Sequence, residues 1–148
     1  MSKFFKFLSG LVVFGLSFTN VSAVKLRISN KNFSFILDTK KQTAELCKVY
    51  SDSDDNITLD IPSFVDFCNS FYRVVGLTDG CIDHFVFERI NSVNIPYTIE
   101  KNENNRKIFF KLLSAPKMTN FDKLVIRDFF EDFATTQIDE KIKNAPIK

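Results

Sequence analysis

His84 is the sole histidine among 148 residues, and it directly follows Asp83. An acid beside an imidazole is half of a nucleophilic triad, and Cys81 is the nearest thiol. A cysteine attacks only as a thiolate, with a base in hydrogen-bond reach. Nothing in the spacing brings Cys81 and His84 together in that way, and no Gly-x-Ser-x-Gly elbow is present. One histidine also excludes a multi-histidine metal site within the chain. Cys47, Cys68 and Cys81 stand 21 and 13 positions apart, which matches no zinc pattern. Asp52-Ser53-Asp54-Asp55-Asn56 opens as a calcium loop does. Ile57 then stands where the loop needs glycine, and Ser63 where it needs the closing glutamate. A solvated loop is the reading for these acids. No glycine-rich phosphate loop occurs. These residues therefore predict no catalytic, cofactor-binding or metal-ligating set.

Three cysteines allow at most one internal bridge and leave one thiol over. Buried free thiols and a single bridge both remain open at this point. Asn32-Phe33-Ser34 and Asn56-Ile57-Thr58 are N-glycosylation acceptors in a cell with that machinery.

The N-terminus reads as an address. Lys3 and Lys6 form a positive start, residues 7–18 are mostly apolar, and Val21-Ser22-Ala23 offers small residues at a cleavage site. This predicts a secretory signal peptide over residues 1–23, with the apolar run too short to span a bilayer. The whole chain has 20 Lys+Arg and 18 Asp+Glu. The leader holds two lysines and no acid, so residues 24–148 carry 18 of each sign and no net charge. That balance gives no electrostatic case for nucleic acid or anionic lipid. The chain has 45% hydrophobic residues and only 4 Gly and 4 Pro, which argues for a folded core rather than disorder. With no second long apolar run, the mature form is expected not to span a membrane.

The elements that must position these residues show a repeat. Leu59-Asp60-Ile61-Pro62-Ser63-Phe64-Val65-Asp66 and Val93-Asn94-Ile95-Pro96-Tyr97-Thr98-Ile99-Glu100 share aliphatic, Asx, Ile, Pro, then a later aliphatic and an acid. A weaker third copy is Leu124-Val125-Ile126-Arg127-Asp128-Phe129-Phe130-Glu131. Each copy reads as a short strand that proline ends, because proline has no N–H for a ladder. A unit of this kind covers its apolar edge only by stacking on a neighbour. Ile61 and Ile95 are then expected at equivalent, buried strand positions.

Ile90-Asn91-Ser92-Val93-Asn94-Ile95-Pro96 resembles the Leu-x-x-Val-x-Ile-Pro signature of BspA-type leucine-rich repeats. Phe121-Asp122-Lys123-Leu124-Val125-Ile126 fits it without the proline. Phe33-Ser34-Phe35-Ile36-Leu37-Asp38 followed by Gln42-Thr43-Ala44-Glu45-Leu46 resembles the hairpin that opens such domains. Phe71-Tyr72-Arg73-Val74-Val75-Gly76-Leu77 resembles the block after the first Ile-Pro. The spacing is longer than the family's usual period, and the Gly and Ala-Phe positions that close a repeat are mostly replaced. The resemblance implies a secreted or surface-displayed recognition protein, of adhesin or surface-antigen kind, rather than an enzyme.

The expected fold is mainly β: an N-terminal hairpin or meander leading into a short leucine-rich-repeat-like solenoid, with a capping helix at the C-terminal end. Residues 24–56 form the hairpin cap, 57–133 about three degenerate repeats, and 134–148 a tail. Strands are predicted at 24–27, 32–37, 43–50, 57–61 and 72–77, with Thr78-Asp79-Gly80 a turn. Residues 101–107 lack any apolar side chain and read as a solvated loop. Thr119 and Asp122 form a capping-box pattern. The repeat wants 121–126 as a strand, so the reading is a strand to Ile126 and a helix from Asp128.

The function expected is recognition of a protein partner at the cell surface or outside the cell, without catalysis and without a cofactor. The alternative is a small secreted hydrolase using Cys81 or the Asp83–His84 pair.

Overall fold

Alternating apolar side chains fold the first half of the chain into strands. The computed structural model describes residues 4–6, 24–52 and 54–143, with side chains over 24–52 and 54–131. A three-residue strand, Phe4–Lys6 (β1), is followed by Lys25–Ser29 (β2), Phe33–Asp38 (β3) and Thr43–Val49 (β4). β2, β3 and β4 form an antiparallel meander. Phe35, Leu37 and Leu46 face inward and are fully buried. Between β3 and β4, the Asp38 carboxylate accepts the N–H groups of Lys40 and Lys41 at 3.0 Å each, and Gln42 adopts φ 54°. An aspartate that satisfies its own turn in this way fixes the hairpin.

Ile57–Asp60 (β5) leaves the meander to start a second sheet. Phe64–Phe67 (β6) and Ser70–Leu77 (β7) then form another hairpin. Its tip, Cys68 and Asn69, has φ of 51° and 62°, the two left-handed residues of a tight hairpin turn. A short helix, His84–Phe87 (α1), leads to Ile90–Asn94 (β8). The larger sheet has the order β1-β6-β7-β4-β3-β2, and the smaller one pairs β5 with β8. Strand outweighs helix, 36% to 26%, so the fold is mainly β.

Two parallel pairings relate the two hairpin units. β4 lies parallel to β7, with Ala44 opposite Val74 and Leu46 opposite Leu77. β5 lies parallel to β8, with Leu59 opposite Val93 and Asp60 opposite Asn94. The first two Ile-Pro copies are thus neighbours in register. Their strands end one residue earlier than expected. Ile61 and Ile95 follow β5 and β8 rather than belonging to them, although Ile61 N–H still donates to the Asn94 carbonyl at 3.3 Å. Ile61 is buried, whereas Ile95 is only partly covered.

The last third is helical. Glu103–Lys111 (α2) runs into a 3-10 turn at Leu112–Ser114, and Asn120–Lys143 (α3) follows. Phe109, Ile126 and Phe130 close the core from this side. The Phe109 and Phe130 rings lie 5.6 Å apart.

This corrects two sequence expectations. The loop expected at 101–107 is mostly the first part of α2. Asn102 caps it by accepting the Asn105 N–H at 2.9 Å, and the apolar stripe begins only at Ile108. The third repeat copy is helix, not a strand to Ile126, because Arg127 replaces the proline that stops the other two. Thr119 starts that helix, accepting the Asp122 N–H at 3.2 Å while its hydroxyl donates to the Asp122 carboxylate. α3 continues to Lys143. The cleavage site at 21–23 and the apolar run at 7–18 lie outside the described residues.

Candidate functional site

The arc between β7 and β8 carries the residues with chemical potential. Gly80, at φ 79°, turns the chain after β7. The Asp83 carboxylate then accepts the Val86 N–H at 2.9 Å and starts α1. Facing α1 across a cavity of about 360 Å³ are Ile108 and Lys111 from the end of α2 and Leu112 from the 3-10 turn. Cys81, Ile82, Asp83, His84 and Phe87 line the near side. The floor is apolar, and Lys111 Nζ pairs with Asp79 Oδ1 at 3.4 Å on the rim.

The structure therefore brings Cys81, Asp83 and His84 to one cavity, but gives each a different partner. Cys81 is 1% exposed. Burial pushes its thiol up to about 12, with the nearby Cys47 adding to the shift. A thiol so placed stays protonated at neutral pH, the opposite of an activated nucleophile. Asp83 spends its carboxylate on the helix cap. His84 projects outward, 85% exposed, with Nε2 3.5 Å from Glu88 Oε1. Nothing hydrogen-bonds the three residues to one another, so the arrangement lacks the base-to-nucleophile contact that acyl transfer needs.

The outer surface of α1 is aromatic and basic. The Arg89 guanidinium lies 3.8 Å over the Phe85 ring, and its Nη1 donates to the Phe85 carbonyl at 2.9 Å. Both bonds hold an otherwise flexible side chain in one geometry. His84 joins this surface to the cavity, and Asp54 and Lys117 flank it. An ordered aromatic with an arginine stacked on it is the kind of anchor that protein interfaces favour.

The acids of the calcium-like loop do not converge. Asp52 lines a groove beside Asn32, Tyr50 and Thr58, while Asp54 faces the α1 surface. Among the described residues, no group of three His, Cys, Asp or Glu side chains is placed to hold a metal ion. The acceptor asparagines Asn32 and Asn56 are both exposed on that groove. All three cysteines are free: Cys68 exposed at its hairpin tip, Cys47 half-buried and Cys81 buried.

Two residues of consequence escape a reading by motif. Asn105, 2% exposed, and Asp122, 7% exposed, both turn buried polar atoms onto strand edges. Asp122 was visible as a capping partner of Thr119, but its second role was not. For Asn105 the signal was the Asn102-x-x-Asn105 pair ahead of Ile108, Phe109 and Leu112, which together have helical spacing.

Compared with family models, with curated proteins and with solved structures, the chain finds no match. No helix among the described residues is long and apolar enough to cross a membrane.

Proposed function

We propose that this chain is a secreted or surface-displayed recognition module, built as a minimal leucine-rich-repeat-like stack of BspA type, which binds a protein partner and performs no catalysis. The observation that carries this reading is the register of β5 and β8. Leu59 and Asp60 pair in parallel with Val93 and Asn94, so two copies of one sequence unit lie side by side as stacked repeats would. The pairing of β4 with β7 repeats the relation in the larger sheet. The leader-like start supports export. The surface best suited to a partner is the α1 arc, with Phe85 and Arg89 as anchors.

The test is capture of extracellular or cell-surface proteins on the purified chain, compared with its Arg89→Ala and His84→Ala variants. Recognition through the arc predicts that capture falls with Arg89→Ala and survives His84→Ala. A hydrolase remains the second reading, because Cys81, Asp83 and His84 share one cavity. Broad hydrolase screening that finds activity abolished by His84→Ala would reverse the order of the two.

A further inference from the structure

The edges of a parallel stack are its weak point. A strand that ends a sheet presents unpaired N–H and C=O groups that template another strand. In this chain the second unit, β6–β7 followed by β8, ends the stack. β1 pairs with the outer edge of β6, and the outer edges of β7 and β8 are taken by side chains and turns. On β7, the β6 hairpin covers the first half of the edge. Beyond it, Asn105 takes over. Its Oδ1 accepts the Leu77 N–H at 3.2 Å, and its Nδ2 donates to the Val75 carbonyl at 3.0 Å. One primary amide thus reproduces what the peptide group of a neighbouring strand would offer. Glu100 N–H also reaches the Val75 carbonyl, at 2.9 Å, and Asn104 Nδ2 reaches the Leu77 carbonyl, at 3.2 Å.

On β8 the same is done by the start of α3. Asp122 Oδ1 accepts the Val93 N–H at 3.0 Å, and Thr119 N–H donates to the Asn91 carbonyl at 3.2 Å. Ser92 Oγ and the Thr119 hydroxyl hold the Asp122 carboxylate in place. Asn91 and Val93 are the positions from which a further strand would be read.

We propose that Asn105 and Asp122 are stack terminators, which close the outer edges of β7 and β8 against strand addition by a second copy of this chain. At β8 the second copy is the natural occupant because the complementary strand is already present in the molecule. β5 pairs with one edge of β8, and the β5 of another copy carries the same Leu-Asp-Ile-Pro pattern to the other edge. Such a contact is head-to-tail and does not close on itself, so it would propagate. Asn105 and Asp122 therefore block that growth at the β7 and β8 edges.

Hydrogen exchange and light scattering test this. In the wild-type protein, the Leu77 and Val93 amides should exchange as slowly as the Ile57 amide, which donates to a backbone carbonyl in the β5–β8 sheet. Asp122→Ala should speed Val93 exchange about tenfold at low protein concentration. It should also make the mass grow with concentration, and Asn105→Ala/Asp122→Ala more so. Asp122→Asn keeps an oxygen acceptor at the edge and should stay as the wild type. A folded Asp122→Ala protein whose mass is independent of concentration overturns the proposal. If that variant does not fold, the wild type decides: Val93 or Leu77 exchanging as fast as an exposed loop amide overturns it as well.

Discussion

Gly76 and Asn105 claim the same space: a Cβ on Gly76 would lie 2.6 Å from Asn105 Oδ1. The asparagine cannot swing aside cheaply, because its amide also bonds Leu77, Val75 and Glu100. Glycine is needed here for close approach rather than for backbone freedom. Gly76→Ala should therefore destabilise the fold by about 1–3 kcal/mol, the range for overpacking. Asn105→Ala should cost about 1–3 kcal/mol by orphaning the Leu77 N–H. In urea unfolding, the double variant should lose less than the two single losses combined, since the alanine at 76 then meets no amide.

The two isoleucines of the repeat should respond unequally. Ile61 is 4% exposed, while Ile95 is only partly buried against the core. Ile61→Ala should cost about 2–5 kcal/mol, as fully buried truncations do, and Ile95→Ala less than about 2. Amide exchange at Ile57 should still quicken in Ile95→Ala, because that amide bonds the carbonyl of Arg89 at the start of β8. Equal losses in denaturant titration would contradict the unequal burial.

Acid should loosen the start of α3. Burial raises the Asp122 pKa, but bonds from Thr119, Val93 and Ser92 outweigh it and hold the carboxyl below its ordinary value. A carboxylate whose folded pKa is depressed stabilises the fold above its unfolded pKa of about 3.9. That contribution is lost as pH falls through the lower, folded value. The stability of the wild type should therefore drop below pH of about 4 more steeply than that of Asp122→Asn, as read from urea midpoints across the acid range. Parallel curves would remove Asp122 from the acid transition.

Thiol reactivity should separate the three cysteines. Cys68 stands exposed at the hairpin tip and should react first with a maleimide. Cys47 is half-buried, and burial raises its pKa, so it should follow slowly. Cys81 should label only on unfolding, since a buried thiol pushed up to about 12 offers almost no thiolate. Mass spectrometry of timed aliquots reads the order directly. Fast labelling at Cys81 would mean that the α1 cavity opens in the folded state.

The strands were legible because their signal is local. Phe33, Phe35 and Leu37 alternate, and Asp38 announces its own turn, so β3 and its hairpin follow from a few neighbours. The Ile-Pro copies were legible too, and they led to the correct pair of adjacent strands. The third copy misled because an aliphatic pattern fits a helix as well as a strand once the proline is gone. Thr119 and Asp122 carried the deciding information, as a cap. α2 was hidden because its first turn faces solvent and shows no apolar stripe before Ile108. Of the candidate site, the proximity of Asp83 and His84 was plain from the chain. Their separate employment, one on Val86 and the other towards Glu88, depends on where α1 turns, and adjacency in sequence does not encode that.

The parallel pairing of the two units also sets the order in which the molecule can assemble. Leu59 and Val93 are 34 positions apart, and Leu46 and Leu77 are 31. Closing such loops costs chain entropy before any contact rewards it. The β3–β4 and β6–β7 hairpins need only short turns and bear no such cost. The hairpins can therefore form early and independently, while the smaller sheet waits for both. α3 can seal the outer edge of β8 only once β8 itself is extended, since its bonds go to Asn91, Ser92 and Val93. During synthesis, β8 is made well before Asp122 leaves the ribosome. Through that interval the edge of β8 lacks its cover, so on the proposed role of Asp122 strand addition is expected to be easiest during crowded production.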